Sequence, residues 1–207
     1  MENHTNIDEL IAAENLPENN IAIPKRIHKY HRLVKKTLDY FKHNIGKEYL
    51  NINVSEQKLA RAIKIFHTLI IELEKRGHTV EINMAGWNPK TFVNLLGQTL
   101  EIRLVEKNKQ IKNPKYNDKN WIENKFFLEP TGIFNLKIER IYHTGDILKL
   151  SIKDTTKYTV EERLNDFIIC LIKASEYERK KKIEIEERNI KKRKMKGIRW
   201  QKMNESK

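Results

Sequence analysis

The chain has 207 residues, a net charge of +13 and 39% hydrophobic residues, enough for one domain with appendages. It contains no apolar run long enough to span a bilayer, and its acidic start lacks the basic-then-apolar pattern of an export signal. Its one cysteine, Cys170, stands in an apolar run and is predicted to be a core residue. The lack of paired cysteines predicts a cytoplasmic protein.

The positive charge is concentrated in two stretches of the chain. Residues 1–20 carry five acids and no Lys or Arg, whereas residues 25–47 carry eight bases and one acid, a net +7. Residues 177–207 carry thirteen bases and five acids, a net +8, which leaves only +3 for the rest of the chain. Basicity confined to two flanks indicates a polyanionic partner. Solvated helix faces that only aid solubility are the alternative.

The N-terminal part divides into an acidic and a basic segment. We predict that residues 1–24 are flexible, with at most a short helix near Ile7 to Glu14; the alternative is that the acidic start folds back on the basic flanks. Residues 25–48 are predicted to contain a basic amphipathic helix, from residue 25 to residue 45. Its apolar stripe consists of Ile27, Tyr30, Val34, Leu38 and Phe41. His28 and His31 lie one turn apart, but no third metal ligand is near them in the sequence.

The stretch from Ser55 to Gly77 is the most strongly patterned helix of the chain. Ser55 is a predicted N-cap, and Gly77 suits the left-handed residue that ends many helices. Apolar residues recur at spacings of three and four, and further apolar residues widen that face. We therefore expect this helix to be buried on more than one side.

Alternating patterns predict the strands. Residues 49–54 form a short strand before the Ser55 helix, and the main runs are residues 79–84, 91–96, 99–106, 133–142 and 147–153. The pair Gly97-Gln98 predicts a type II′ hairpin, and residues 107–129 predict a long polar connection. The predicted fold class is α+β: an antiparallel sheet of about five strands from Thr79 to Lys153, with the Ser55 helix and the start of the last helix on one face. Together with residues 49–54, these elements form a core domain over residues 49–176.

The last helix is predicted to begin in the core and to leave it as a charged tail over residues 177–207. Thr159 and Glu162 have capping-box spacing, and Gly197 is the predicted end. Its apolar stripe fades after Tyr177, where Ile183, Ile190 and other apolar residues stand among charges. We expect residues from about Tyr177 onward to be dispensable for stability.

Three stretches of the core resemble a known family. They are RAIKIFHTLIIELEKRGHTV (residues 61–80), PTGIFNLKI (residues 130–138) and LNDFI (residues 164–168). In these the chain is similar to uncharacterised bacterial proteins of genomic islands, over about residues 50–195. Longer relatives carry a helix-turn-helix-like segment that has no recognisable version here, and that segment implies a role on DNA. The resemblance implies no activity and no catalytic residues.

The sequence shows no motif of a known catalytic or cofactor site. A glycine-rich phosphate loop, HExxH, CxxC and G-x-S-x-G are all absent. Asp118, Glu123 and Lys125 faintly suggest a nuclease arrangement, and His143 with Asp146 a general base with its orienting partner. A polar loop and a surface turn explain both sets more simply, so we predict no catalytic residue, metal or cofactor.

We predict a non-enzymatic, nucleic-acid-associated protein, such as an accessory factor of a mobile element or a defence system. Lys and Arg on helix faces would bind the phosphate backbone with weak sequence preference, and Trp200 would add stacking. The predicted binding residues are Arg32, Lys35, Lys36, Arg179, Lys180, Lys181, Lys182, Lys191, Lys192, Arg193, Lys194, Lys196, Arg199 and Trp200. Two alternatives remain: the C-terminal helix binds a protein or a second copy of the chain through Ile183, Ile190 and Met195, or the protein is a metal-dependent nuclease.

Overall fold

A computed structural model describes residues 6–84, 88–114, 125–141 and 148–205, with side chains up to residue 196. Its helices are α1 (Ile7–Glu14), α2 (Arg32–His43), α3 (Glu56–Lys75) and α4 (Leu164–Glu205). Its strands are β1 (Ile52–Asn53), β2 (Thr79–Asn83), β3 (Lys90–Leu95), β4 (Gln98–Lys112), β5 (Phe126–Glu139) and β6 (Ser151–Lys153). The predicted α+β class is confirmed.

Strands β2 to β6 form an antiparallel sheet in sequence order, as expected for a meander. β1 adds a short parallel pairing to β4, where Ile52 lies opposite Leu104 beyond the end of β3. One face of the sheet joins α3 and the first turns of α4 in a single core. Leu100, Ile102 and Leu104 of β4 face this core, and the alternate residues Glu101 and Arg103 face away from it.

Helix α3 is buried on more than one side, as predicted. Seven of its apolar side chains are no more than 2% exposed: Ala62, Ile63, Ile65, Phe66, Leu69, Ile70 and Leu73. Ser55 stands at the N-cap, but its side chain does not cap a helical N–H; instead its own N–H donates to Oε2 of Glu106 at 2.7 Å. Gly77 follows the helix with φ +79°, as its place at the predicted end requires.

Helix α2 is shorter than the sequence predicts. It begins at Arg32, not at residue 25. His31 is the N-cap residue, and its Nδ1 accepts from the N–H of Leu33 at 3.3 Å, a local bond that a helix continuing through His31 would not need. Upstream, the carbonyl of Lys25 accepts from Lys64 Nζ at 2.9 Å, so this segment is bound to α3 as an irregular chain.

The acidic N-terminal segment packs on the domain rather than standing free, where the structure describes it (residues 6–24). Helix α1 has the predicted bounds and contacts α4. Glu14 is buried, and its Oε1 lies 2.6 Å from Nε of Arg76 at the end of α3. Asn165 of α4 donates to the carbonyls of Glu14 and Asn19 at 3.2 and 2.8 Å. The prediction of a flexible segment is therefore wrong for these residues, because the carboxylate of Glu14 and the amide of Asn165 connect the segment to α3 and α4.

The predicted long connection over residues 107–129 is wrong at both ends. β4 continues to Lys112 and β5 begins at Phe126, so the two strands extend the sheet as a two-stranded arm, which we define as residues 107–112 and 126–130. A register shift between Glu106 and Asn108 marks its base, and Pro130 lies opposite Asn108. Lys, Asn and Gln have low strand propensity, which hid this part of β4 in the sequence.

The turn between β3 and β4 also differs from the prediction. Leu95 pairs with Gln98, so the two loop residues are Leu96 and Gly97, not Gly97 and Gln98. Both have positive φ, +51° and +72°, which is the type I′ geometry rather than type II′. β6 is shorter than predicted, and the predicted turn at residues 143–146 lies outside the described residues.

Helix α4 leaves the core as predicted, but it does not end at Gly197. It follows a 3-10 turn at Glu161–Arg163 and continues to Glu205. Of the predicted capping box, the Glu162 half is present: its Oε2 accepts from the N–H of Thr159 at 2.7 Å. Cys170 is buried in the core, as expected, and burial raises the pKa of its thiol.

Candidate nucleic-acid interface

Helix α4 extends well beyond the body of the protein. Its last buried residue is Ser175, whose Oγ lies 3.2 Å from the carbonyl of Leu95, and its last described contact with the sheet is from Lys182 Nζ to Gln98 Oε1 at 2.6 Å. Residues 182–196 are all exposed. At about 1.5 Å per residue, this exposed stretch is roughly 22 Å long. We call residues 183–196 the helical tail.

The end of the helical tail is basic on every side. Five of the six residues from 191 to 196 are Lys or Arg, and no acid lies among them: Lys191, Lys192, Arg193, Lys194 and Lys196. None of the five makes a hydrogen bond or an ion pair with any residue that the structure describes. Because successive helical residues are rotated by about 100°, four consecutive bases surround the helix axis. This end therefore presents uncompensated positive charge in all directions.

The first part of the tail, residues 183–190, is acidic, with a net charge of −2. It carries three acids, Glu184, Glu186 and Glu187, against one base, Arg188, whose Nη2 lies 2.8 Å from Oε1 of Glu184 in the preceding turn. Such a pair stabilises a solvated helix by a few tenths of a kcal/mol, roughly 0.3–0.5. The positive potential of the tail thus lies at its end, away from the sheet.

The predicted binding run from Arg179 to Lys182 is engaged within the chain. Arg179 Nε lies 2.8 Å from Oε2 of Glu176, and Lys180 Nζ lies 3.3 Å from the other oxygen. The hydrogen bond from Arg179 lowers the pKa of Glu176. Lys181 Nζ lies 5.5 Å above the ring of Tyr177, and Lys182 bonds to Gln98. Glu176 therefore offsets part of the charge of Arg179 and Lys180, whereas Lys181 and Lys182 contact neutral groups and keep their charge.

The predicted residues of α2 divide in the same way. Arg32 and Lys35 are exposed and have no ion pair among the described residues, whereas Lys36 pairs with Glu48. The backbone of Arg199 and Trp200 continues α4, and their side chains lie outside the described part of the chain. The structure thus places the predicted residues on two separate elements and leaves those of the tail end most accessible.

The two-stranded arm is a second exposed basic surface, which the sequence interpretation missed. Its three described lysines are exposed, Lys107, Lys109 and Lys112, and Glu129 is the acid among its residues. Ile111 lies directly opposite Phe127, and both remain exposed, 38% and 52%. The sequence does hold one signal of this strand: alternation would place Lys107, Lys109 and Ile111 on one face, and Asn108 and Gln110 on the other.

The arm and the tail leave the domain at opposite ends of one strand. Lys182 contacts Gln98, the first residue of β4, and the arm contains its last residue, Lys112. With 15 residues, β4 is about 50 Å long at roughly 3.4 Å per residue. A ligand would have to extend along the molecule to reach both basic surfaces.

The apolar residues of the tail do not form one stripe. Ile183 and Ile190 are seven residues apart and share a helix face, with exposures of 44% and 46%. Ile185 and Met195 point to other sides of the helix, at about 100° of rotation per residue. Between Ile183 and Ile190, the positions that complete a heptad seam hold Glu186 and Glu187. A continuous seam for a partner helix is therefore not present in residues 183–196.

The acids and the histidine of the faint catalytic arrangements fall outside the described residues, whereas Lys125 is described. The four outside are Asp118, Glu123, His143 and Asp146. Among the residues that are described, no three His, Cys, Asp or Glu side chains come together in a metal-binding arrangement, and no helix has an apolar stretch that could cross a membrane. Comparisons with protein-family models, with curated proteins and with solved structures find no match for this chain.

Proposed function

We propose that the protein binds nucleic acid through the basic end of its helical tail, with Arg32 and Lys35 of α2 as further phosphate contacts. The observation that carries the proposal is the set of five exposed bases at residues 191–196, none of them paired with a described residue, at the far end of an exposed stretch of helix roughly 22 Å long. Lys and Arg in this state neutralise phosphates and release condensed counterions.

The distribution of charge favours a grooved polyanion over a flat anionic surface. A helix that lies on a membrane needs an apolar face opposite its basic one. The tail end has bases all around its axis, and its apolar residues are scattered. A helix that enters a groove meets phosphates on both of its flanks, which matches this arrangement.

The contacts on offer favour weak sequence preference. Lysines predominate among the exposed bases of residues 191–196, and a lysine ammonium contacts phosphate as a point charge. Base reading requires side chains that match base edges in pairs, and such a constellation is not recognisable in the tail. Binding should therefore depend strongly on salt and weakly on sequence.

The test is a titration of labelled duplex DNA, single-stranded DNA and RNA at several salt concentrations. Replacing Lys191, Lys192, Arg193 and Lys194 with Gln should weaken binding to all sequences. It should also reduce the slope of log affinity against log salt by up to about four, roughly one per lost contact.

A matched control removes the same charge elsewhere. Lys149, Lys153, Lys157 and Lys173 are exposed bases outside α2, the arm and the tail, and replacing these four with Gln lowers the net charge equally. This control should retain most of the affinity. Equal losses of affinity in both variants would mean that only net charge matters. If the wild type binds none of the nucleic acids at low salt, the proposal is rejected in favour of a protein partner on the Ile183 and Ile190 face.

A further inference from the structure

A polar cleft of about 430 Å³ lies on the face of the sheet turned away from the core. It is bounded by β1, β3, β4 and the end of β5, and its charged lining residues are Lys90, Glu101, Arg103, Glu139 and Arg140. Its volume is within the range of small-molecule sites, roughly 300–1,000 Å³. It is separate from the helical tail.

Glu101 forms a buried anionic wall of the cleft. Its side chain is 7% exposed, and its Oε2 lies 2.9 Å from Arg140 Nε and 3.5 Å from Lys90 Nζ. Neither contact has hydrogen-bond geometry. The negative charge of this oxygen is therefore offset by two nearby cations, but the oxygen accepts no hydrogen bond from the described residues. Arg140 reaches it from a left-handed backbone, φ +63°, which is strained for a residue with a side chain. The carboxylate thus holds two cations at the edge of the cleft.

Arg103 has no such partner. It follows Glu101 by two residues and lies on the same face of β4. It forms no ion pair with the described residues, and its Nε is buried without a hydrogen bond to them. A buried N–H without an acceptor is costly and uncommon in native proteins. Glu139, the carboxylate of β5 that lines the cleft, is already bound by Lys137 at 2.7 Å.

We propose that this cleft binds a small molecule through an oxyanion, a phosphate or a carboxylate, held by the guanidinium of Arg103. The guanidinium fork matches both groups in a two-bond arrangement. Lys90 and Arg140 add positive charge beside it, and the cleft has three cations against two carboxylates. The proposal does not depend on nucleic-acid binding.

The primary test needs no substitution. Side-chain ¹⁵N spectra of the full chain are recorded while inorganic phosphate, and separately acetate, replaces chloride at constant ionic strength. The Nε–H signal of Arg103, assigned by its loss in Arg103→Lys, should shift and saturate, while that of Arg188 should not. The stronger of the two responses identifies phosphate or carboxylate as the preferred group. A shift of Arg103 that never saturates, or one matched by Arg188, overturns the proposal.

Two variants give an independent measurement. Phosphate or acetate should raise the thermal midpoint of the folded wild type, because a ligand that binds only the folded state stabilises it. Arg103→Gln should lose this rise, and the control Arg188→Gln, which removes an exposed arginine, should keep it. The four-Gln tail variant should also keep it, so failure here is distinct from failure of nucleic-acid binding. Retention of the rise in Arg103→Gln contradicts the proposal.

Discussion

Arg61 and Asp154 form a two-bond ion pair that joins α3 to the segment before α4. Nη1 of Arg61 lies 2.8 Å from Oδ2 of Asp154, and Nη2 lies 2.9 Å from Oδ1. The same guanidinium donates to Glu161 and to the carbonyl of Gly132, and it stacks 4.4 Å from the centre of the Phe134 ring. One side chain therefore fixes the relative positions of α3, β5 and the start of α4.

The partner of Arg61 is itself fully hydrogen-bonded. Asp154 accepts from the N–H of Phe134 at 2.7 Å and from that of Val160 at 2.8 Å. Burial alone would raise the pKa of Asp154, but these bonds and Arg61 outweigh it and lower the pKa. A carboxylate held in this way depends on its cation, because an unpaired buried charge is costly.

We predict that Arg61→Gln strongly destabilises the domain. The Arg61 side chain is 27% exposed and Asp154 12%, so the loss should lie toward the lower end of the roughly 3–5 kcal/mol seen when one partner of a buried pair is removed. Arg188→Gln, which removes one partner of an exposed pair, should change the free energy of unfolding by less than about 1 kcal/mol. Urea unfolding of both variants measures the contrast, and similar small losses would mean that the Arg61 network is not structural.

The sequence predicts the helix that carries Arg61 but not the network around it. The spacing of apolar residues in α3 determines its buried faces, which the structure confirms. Asp154 and Glu161 follow Arg61 by 93 and 100 residues, and a single sequence gives no signal that these charges meet. The same limit applies to Arg103. The alternation of the strand predicts that Arg103 lies on the polar face, but it does not show which residues surround it or that it has no partner among the described ones.

The exposed arm should contribute little to stability. Phe127 and Phe134 lie on the same strand, seven residues apart, but Phe127 is 52% exposed and Phe134 is fully buried. Phe134→Ala should cost roughly 3–5 kcal/mol through lost burial and a cavity. Phe127→Ala should cost under about 1 kcal/mol, and urea unfolding compares the two. A large loss for Phe127 would show that the arm packs against another part of the chain or a second copy.

His67 is a buried, neutral hydrogen-bond acceptor on α3. Its Nδ1 accepts from the N–H of His31 at 3.3 Å, so protonation at Nδ1 would place two donors against each other. Burial, and then the proximity of His31, lower the pKa of His67. The folded state therefore disfavours the charged form.

This lowered pKa predicts a loss of stability on mild acidification. The stabilisation is complete above the unfolded-state pKa of about 6.5 and is lost as pH falls through the folded pKa, because the unfolded chain binds the proton first. His67→Asn can keep an acceptor for the His31 N–H without a titrating ring. Urea unfolding between about pH 7.5 and 5.5 should show a smaller decline for this variant. Burial also lowers the pKa of His78, so part of the decline in stability should remain in both the wild type and the variant. Identical stability profiles against pH in the two proteins would rule out His67 as a contributor.

The charge of the tail was predictable, whereas the accessibility of each base was not. Composition alone locates an excess of Lys and Arg after Tyr177. Only the structure distinguishes Lys180, which shares Glu176 with Arg179, from Lys194, which has no partner among the described residues. The difference follows from local acids: Glu176 lies within four residues of the first run, and no acid lies within residues 188–196.

Removal of residues 183–207 should leave the stability of the domain nearly unchanged. The tail side chains up to residue 196 are exposed, and the truncation retains the Lys182 to Gln98 bond. The free energy of unfolding should change by no more than about 0.5 kcal/mol, with the same dependence on urea concentration. Truncation at Ile172 is the contrasting variant: it removes three buried side chains, Ile172, Ala174 and Ser175, and should cost at least roughly 2–5 kcal/mol. Two results together would mean that the tail packs against a second copy: a large loss of stability on removal of residues 183–207, and an unfolding midpoint of the full chain that rises with its concentration. Association stabilises the folded state by mass action.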